Sequence, residues 1–262
     1  MQSLTEYIQL GNGPPVVMLH SSMSSKEQWL KLLSDLSPSY HAIAIDLYGY
    51  GESDYPPNST SFSLMDEVTR INTIITQLIG ADCFHLVGHS YGAATALRFA
   101  FAYPQRVLSL SIFEPVAFHL LDKDDPVLTA IIELACRIRA LTEQQEFSQA
   151  TRMFVDFWSG IGTYDSLSAT RQDLLDDCIH KVILDFQAGI SEPLTLDSYK
   201  KINIPVCLIA SPQSPPPTRQ IAVNLESTLP NLVVHRVEGG HMAPMSNAPA
   251  VNRVWKKFIE TQ

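Results

Sequence analysis

Short apolar runs bounded by turn residues recur along the chain. Residues 16–20, 41–46, 83–89, 107–113, 206–210 and 232–237 are each nearly continuously apolar and rich in β-branched or aliphatic side chains. A strand with one wet face alternates apolar and polar positions. A continuous run marks a strand covered on both faces, as in a parallel sheet. A weaker run at 7–10 predicts an edge strand. Between these runs the period changes. Over 63–79 the apolar positions Leu64, Val68, Ile71, Ile74, Ile75, Leu78 and Ile79 fall on one helical face. Helices are also predicted over 93–102, 218–229 and 250–260. Strands alternating with helices give an α/β fold with a mostly parallel sheet and helices on both faces.

The alternation stops at about residue 115 and resumes at about 196. No strand-like run lies between them. The spacing predicts helices over 126–141, 142–158 and 166–188, with Gly160, Gly162 and Gly189 as turns. The expected organisation is therefore a core of residues 1–115 and 195–262 interrupted by a helical cap over 116–194.

One motif carries chemistry. Gly88-His89-Ser90-Tyr91-Gly92 is a G-x-S-x-G that follows the strand residues His85-Leu86-Val87 and opens the small-residue helix Ala93-Ala94-Thr95-Ala96. A serine on such a strand–turn–helix junction projects its hydroxyl beyond the sheet edge, beside the positive end of a helix. An ordinary glycine-rich turn has the same composition, but the flanking elements favour a nucleophile. A serine hydroxyl is a weak nucleophile and needs a base. His241, in Gly239-Gly240-His241-Met242 after the last strand run, is placed to serve. His235 is its rival but lies inside that run. Acyl transfer also requires two backbone N–H groups aimed at one oxygen. Tyr91 is expected to supply one. Ser22, with Ser21 as the next choice, is expected to supply the other from the loop after residues 16–20. His20 reads as a brace for that loop.

These residues resemble the α/β-hydrolase superfamily, and the resemblance runs through nearly the whole chain. Leu19-His20-Ser21-Ser22 with Trp29 is similar to the H-G-x-x…W opening of that family. Asp46-Leu47-Tyr48-Gly49-Tyr50-Gly51-Glu52-Ser53-Asp54 is similar to its D-x-x-G-x-G-x-S-D loop, and Tyr103-Pro104-Gln105-Arg106-Val107 to its Y-P-x-R-V. The likeness implies a helical cap over the site. The chain departs from the pattern at two points. Ser21 stands where glycine is usual. The stretch after residues 206–210 has Ser211-Pro212-Gln213-Ser214 in place of G-x-x-D, and residues 206–225 contain no Asp or Glu. Haloalkane dehalogenases of the superfamily carry the acid one strand earlier, which here ends in Ile112-Phe113-Glu114-Pro115. Glu114 is therefore the expected acid, with Asp122, Asp124 and Asp125 as weaker alternatives. Phe154, Phe157 and Trp158, one aromatic group of the cap, and Met242 beside His241 read as cap core or as the lining of an apolar pocket.

Composition narrows the function classes. The 262 residues are 45% hydrophobic and 17% charged, which is globular rather than disordered. A formal charge of -9 opposes binding to nucleic acid or to an anionic membrane surface. Cys83, Cys136, Cys178 and Cys207 have neither disulfide-framework nor zinc spacing, and suit a reducing compartment. The first residues, Met1 to Tyr7, lack the basic and apolar regions of a signal peptide. The expectation is a cytoplasmic serine hydrolase, monomeric or homodimeric, without metal or organic cofactor. It would cleave a small or medium apolar carboxylic ester through an acyl-enzyme. Two other readings compete with it: a carbon–carbon bond hydrolase or cofactor-free lyase using the same site, and a non-catalytic receptor for a small ligand.

Overall fold

In the computed structural model, which describes residues 5–262, the apolar runs form the strands β1 (Tyr7–Leu10), β2 (Pro15–Leu19), β3 (His41–Ile45), β4 (Phe84–His89), β5 (Val107–Phe113), β6 (Val206–Ala210) and β7 (Leu232–Arg236). They make one sheet in the order β1-β3-β2-β4-β5-β6-β7. β1 pairs antiparallel with β3, and all other pairs are parallel. Side chains alternate across the strands as the pleat requires. Val16 and Met18 of β2, with Ala42 and Ala44 of β3, pack under α1 (Leu30–Leu36) and the C-terminal helix. Val17, Leu19, Ile43 and Ile45 face the other way, onto α2 (Leu64–Ile79) and α3 (Tyr91–Ala102). β7 is only half-buried, with Val233 49% exposed, because it is the sheet edge and has no further strand beside it.

The helices between β5 and β6 are α4 (Pro126–Glu143), α5 (Phe147–Ser159), α6 (Ala169–Asp176), α7 (Ile179–Ser191) and the single turn α8 (Leu196–Tyr199). After β6 come α9 (Pro216–Glu226), α10 (Ala243–Ser246) and α11 (Ala248–Ile259). Two expected boundaries move. Thr142 lies in the last turn of α4 rather than opening α5. The expected helix over 166–188 is two helices: α6 is polar and buries Leu175 alone, whereas α7 buries eight residues. Gly189 is not a turn. It lies within α7, where an added Cβ would meet the Val116 carbonyl at 3.0 Å, so it allows α7 to pack against the segment after β5. Helix α1 is absent from the sequence reading. Its signal is present, because Trp29, Leu32, Leu33 and Leu36 are spaced i, i+3, i+4, i+7 and all are buried. The N-terminal residues 1–4, part of the stretch read for a leader, lie outside the described residues. Among the described residues, no helix is long and apolar enough to cross a membrane.

Candidate active site

The G-x-S-x-G turn joins β4 to α3. Ser90 sits at φ 56°, ψ -114°, a conformation that L-residues rarely adopt. Both glycines are required by close backbone approach. A Cβ on Gly88 would lie 2.5 Å from the Gly92 carbonyl oxygen. A Cβ on Gly92 would lie 2.3 Å from the Leu19 carbonyl oxygen of the adjacent strand. The turn is held from β5, as the Ser90 N–H donates to the Phe113 carbonyl at 2.9 Å.

The structure brings Ser90, His241 and Glu114 together. Ser90 Oγ is 2.9 Å from His241 Nε2, and His241 Nδ1 is 2.7 Å from Glu114 Oε2. All three residues are buried. Glu114 follows β5 directly, with φ 43°, and its second oxygen accepts the Ser211 N–H at 2.6 Å. With Nδ1–H given to the carboxylate, Nε2 is left as the acceptor for the serine proton. The other candidate acids are elsewhere. Asp122 and Asp124 are exposed, and Asp125 caps α4 by accepting the Val127 N–H. Ser214 stands where the family pattern has its acid, and Ser211 Oγ, three residues before it, accepts the Gly240 N–H at 3.1 Å and so holds the His241 loop. His235 lies within β7, half-buried.

Two backbone donors in the segments flanking the cavity are without an acceptor among the described residues. Tyr91 is the first residue of α3, where an N–H has no intrahelical acceptor. In the loop after β2, the Ser21 N–H is already committed to Gln28 Oε1 at 3.1 Å. The Ser22 N–H has no acceptor among the described residues, and Ser22 lines the same cavity as Ser90. His20 braces this loop. Its Nδ1–H donates to the Ser21 carbonyl at 2.7 Å, and its Nε2 accepts the Leu47 N–H at 2.9 Å.

Above Ser90 a cavity of about 170 Å³ runs under the inserted helices, lined by Phe154, Trp158, Met242 and His241 among others. Trp158 lies over the His241 ring, with centroids 4.5 Å apart and 34° between planes. Phe157 does not line this cavity and packs against the core, the other of the two roles read for it. It sits edge-on to Trp158, 4.8 Å between centroids, at the edge of the aromatic face of α5, and borders an adjoining groove toward Gln213 and Pro215 that shares Trp158, His241 and Met242 with the cavity.

Sequence reasoning missed two features. His89 stands behind His241, its ring centroid 5.3 Å away, and its Nε2–H donates to the His241 carbonyl at 2.9 Å. The second is a buried charge cluster beneath the Ser22 loop. Lys181 pairs with Asp185 one turn along α7 and with Glu67 of α2 at 3.2 Å. Its ammonium lies 4.5–5.0 Å from the ring centroids of Tyr50, Phe62 and Tyr91. Asp185 Oδ2 accepts from Tyr50 Oη at 2.6 Å and from Ser22 Oγ at 2.5 Å, so the cluster fixes the loop bearing one of the two free N–H groups. Burial raises the carboxyl groups of both Glu67 and Asp185, with Lys181 opposing. A signal existed: Glu67 interrupts the apolar stripe of α2, and Lys181 and Asp185 stand four apart in an otherwise apolar helix.

The buried histidines set a pH dependence of stability. Burial lowers His20 and His119 to about 4, pushes His89 well down, and lowers His85. As pH falls below the free-imidazole range near 6.5, the unfolded chain binds protons that the folded chain refuses, so unfolding is favoured. Glu67 and Asp185, raised by burial, act in the opposite sense over part of that window. The imidazoles of the unfolded chain take up protons from near 6.5 downward, above the range of free carboxyl groups. The expected result is a melting temperature that falls steadily from pH 7 to pH 4, read by circular dichroism. A midpoint that rises over that interval contradicts it.

Residues 14–248 match the family described as alpha/beta hydrolase fold, and the chain belongs to it. A Bacillus subtilis (strain 168) protein, assigned by name, provisionally, as a 2-succinyl-6-hydroxy-2,4-cyclohexadiene-1-carboxylate synthase, is 28% identical over 210 residues. That alignment covers 74% of this chain and 71% of the relative. A cis-3-alkyl-4-alkyloxetan-2-one decarboxylase of Shewanella oneidensis is 32% identical over 117 residues, which is 44% of this chain but only 37% of that protein. Among solved structures, the esterase EaEST from Exiguobacterium antarcticum superposes with a TM-score of 0.77 at 18% identity. The match covers 97% of this chain and 94% of the esterase, and at that identity the likeness concerns the fold.

Proposed function

We propose that this protein is a serine hydrolase that cleaves carboxylic esters through an acyl-enzyme. The observation that carries the reading is the unbroken hydrogen-bonded chain Ser90–His241–Glu114, set beside the two uncommitted N–H groups of Tyr91 and Ser22. Ser90 Oγ attacks the ester carbonyl while His241 Nε2 takes its proton. Tyr91 and Ser22 hold the oxyanion, and Glu114 stabilises the imidazolium. His241 then returns the proton to the leaving alkoxide oxygen, and the carbon–oxygen bond breaks. Water, deprotonated by His241, releases the acid and restores Ser90. Phe154, Trp158 and Met242 give the substrate an apolar enclosure. The Shewanella relative is a decarboxylase, which supports a second reading, carbon–carbon bond cleavage at the same site.

Labelling with a fluorophosphonate, followed by mass spectrometry, is the test. The adduct is expected on Ser90 alone at low dose, with p-nitrophenyl ester turnover lost in proportion to labelling. A well-folded protein that neither labels nor cleaves esters refutes the reading. Labelling at Ser90 with turnover confined to vinylogous diketones transfers the site to the second one.

A further inference from the structure

Ser90 stands where two unequal chambers meet. Ser22, Ser90, Phe154 and Trp158 border both. The outer chamber, the cavity of about 170 Å³, also includes His241, Met242 and Met245 in its wall. The inner chamber holds only about 20 Å³ of room for the centres of water-sized groups, and His241 is not part of its wall. Its end is closed by Phe118 and Phe186, stacked 5.8 Å apart at 16°, with Phe154 edge-on to Phe186 at 6.0 Å. Asp185 forms its polar side, with both oxygens already engaged by Lys181, Tyr50 and Ser22.

The chemistry assigns the chambers. The leaving oxygen receives its proton from His241, so the alcohol half of the ester must lie on the side His241 borders. The acyl half then points into the chamber that His241 does not border. About one water needs 10–15 Å³ by this kind of measure. The inner chamber therefore takes one or two carbons beyond the carbonyl. We propose that the substrates are short-acyl esters, acetyl or propionyl, of larger apolar alcohols that occupy the outer chamber. This assignment rests on the ester-hydrolase reading. It adds a direction and a size limit to it. Overall the reaction converts ester and water to a short carboxylic acid and the alcohol.

The size limit comes from close packing. Forcing extra methylenes against Phe118 and Phe186 costs about 1–3 kcal/mol, or roughly five- to 150-fold. The test is a p-nitrophenyl series of constant leaving group: acetate, butyrate, hexanoate and octanoate. Wild-type kcat/KM is expected to fall at least about tenfold from acetate to hexanoate. Against that, lengthening the alcohol of an acetate ester from methyl to hexyl should not lower it. Phe186 borders the inner chamber and not the outer one, so Phe186→Ala should raise the hexanoate-to-acetate ratio about tenfold. Phe186→Leu, a smaller cavity with less risk to folding, should raise it by a lesser factor. Equal cleavage of acetate and octanoate by wild type overturns the proposal, as does an unchanged ratio in a folded Phe186 variant. Fluorophosphonate labelling of Ser90 separates the failures. If Ser90 labels and long acyl chains are preferred, the chamber assignment falls and the hydrolase reading stands. If Ser90 does not label and no ester is cleaved, both fall.

Discussion

Ser90→Ala should reduce ester turnover by about five to six orders of magnitude, leaving only what binding and oxyanion stabilisation contribute. The substitution removes the one atom that forms the covalent intermediate. Little else depends on that atom, since Ser90 Oγ bonds to His241 Nε2 and the turn itself is held by backbone bonds to Phe113 and Val116. Alanine must adopt the same left-handed backbone as serine, at φ 56°, so the strain is carried over unchanged. The melting temperature should therefore stay within a few degrees of wild type while hydrolysis of p-nitrophenyl acetate disappears. A folded Ser90→Ala protein retaining more than about one per cent of activity excludes Ser90 as the nucleophile.

The core was legible because its strands are buried on both faces. Continuous apolar runs such as 206–210 leave no other low-energy place for the backbone, and β6 occupies those five residues. Ser90 was legible because close approach demands glycine twice within five residues. The inserted helices were read less well. Polar α6 and apolar α7 share a helical period, and nothing in the period alone marks where the axis turns at Asp177 and Cys178. Phe154, Phe157 and Trp158 are spaced i, i+3, i+4 on one face of α5, and the spacing alone did not show that Phe157, at the edge of that face, meets a neighbouring groove rather than the cavity. The Lys181 cluster was missed because its partners come from α2, α7 and the loop after β3, far apart in sequence. It has a consequence for the site. Ser22 is held by a residue of the inserted helices, so the geometry of the oxyanion loop depends on α7 staying docked.

The departure at the acid leads to the sharpest substitution. In Glu114→Gln the side chain keeps its shape but has one acceptor where the carboxylate has two. Both carboxylate oxygens are in use, Oε1 by the Ser211 N–H and Oε2 by His241 Nδ1. If the amide oxygen stays on Ser211, its NH₂ faces Nδ1, and the imidazole must move its proton to Nε2. Nε2–H then points at Ser90 Oγ and cannot accept the serine proton. If the amide flips, the Ser211 N–H is left facing a donor in a buried site. Either way the charge that stabilises the imidazolium is gone. The equivalent change in a serine-protease triad costs about four orders of magnitude, and a loss of at least about a hundredfold is expected here. The pocket, the oxyanion donors and fluorophosphonate access to Ser90 are untouched, so KM should change far less than kcat. Ser214→Asp in the Glu114→Gln background tests the alternative position of the acid. Ser214 is buried beside the His241 loop, and its hydroxyl has no partner among the described residues. A carboxylate there should recover part of the lost rate. Near-wild-type kcat in Glu114→Gln would show that Ser90 and His241 work as a dyad and that Glu114 only ties β5 to β6.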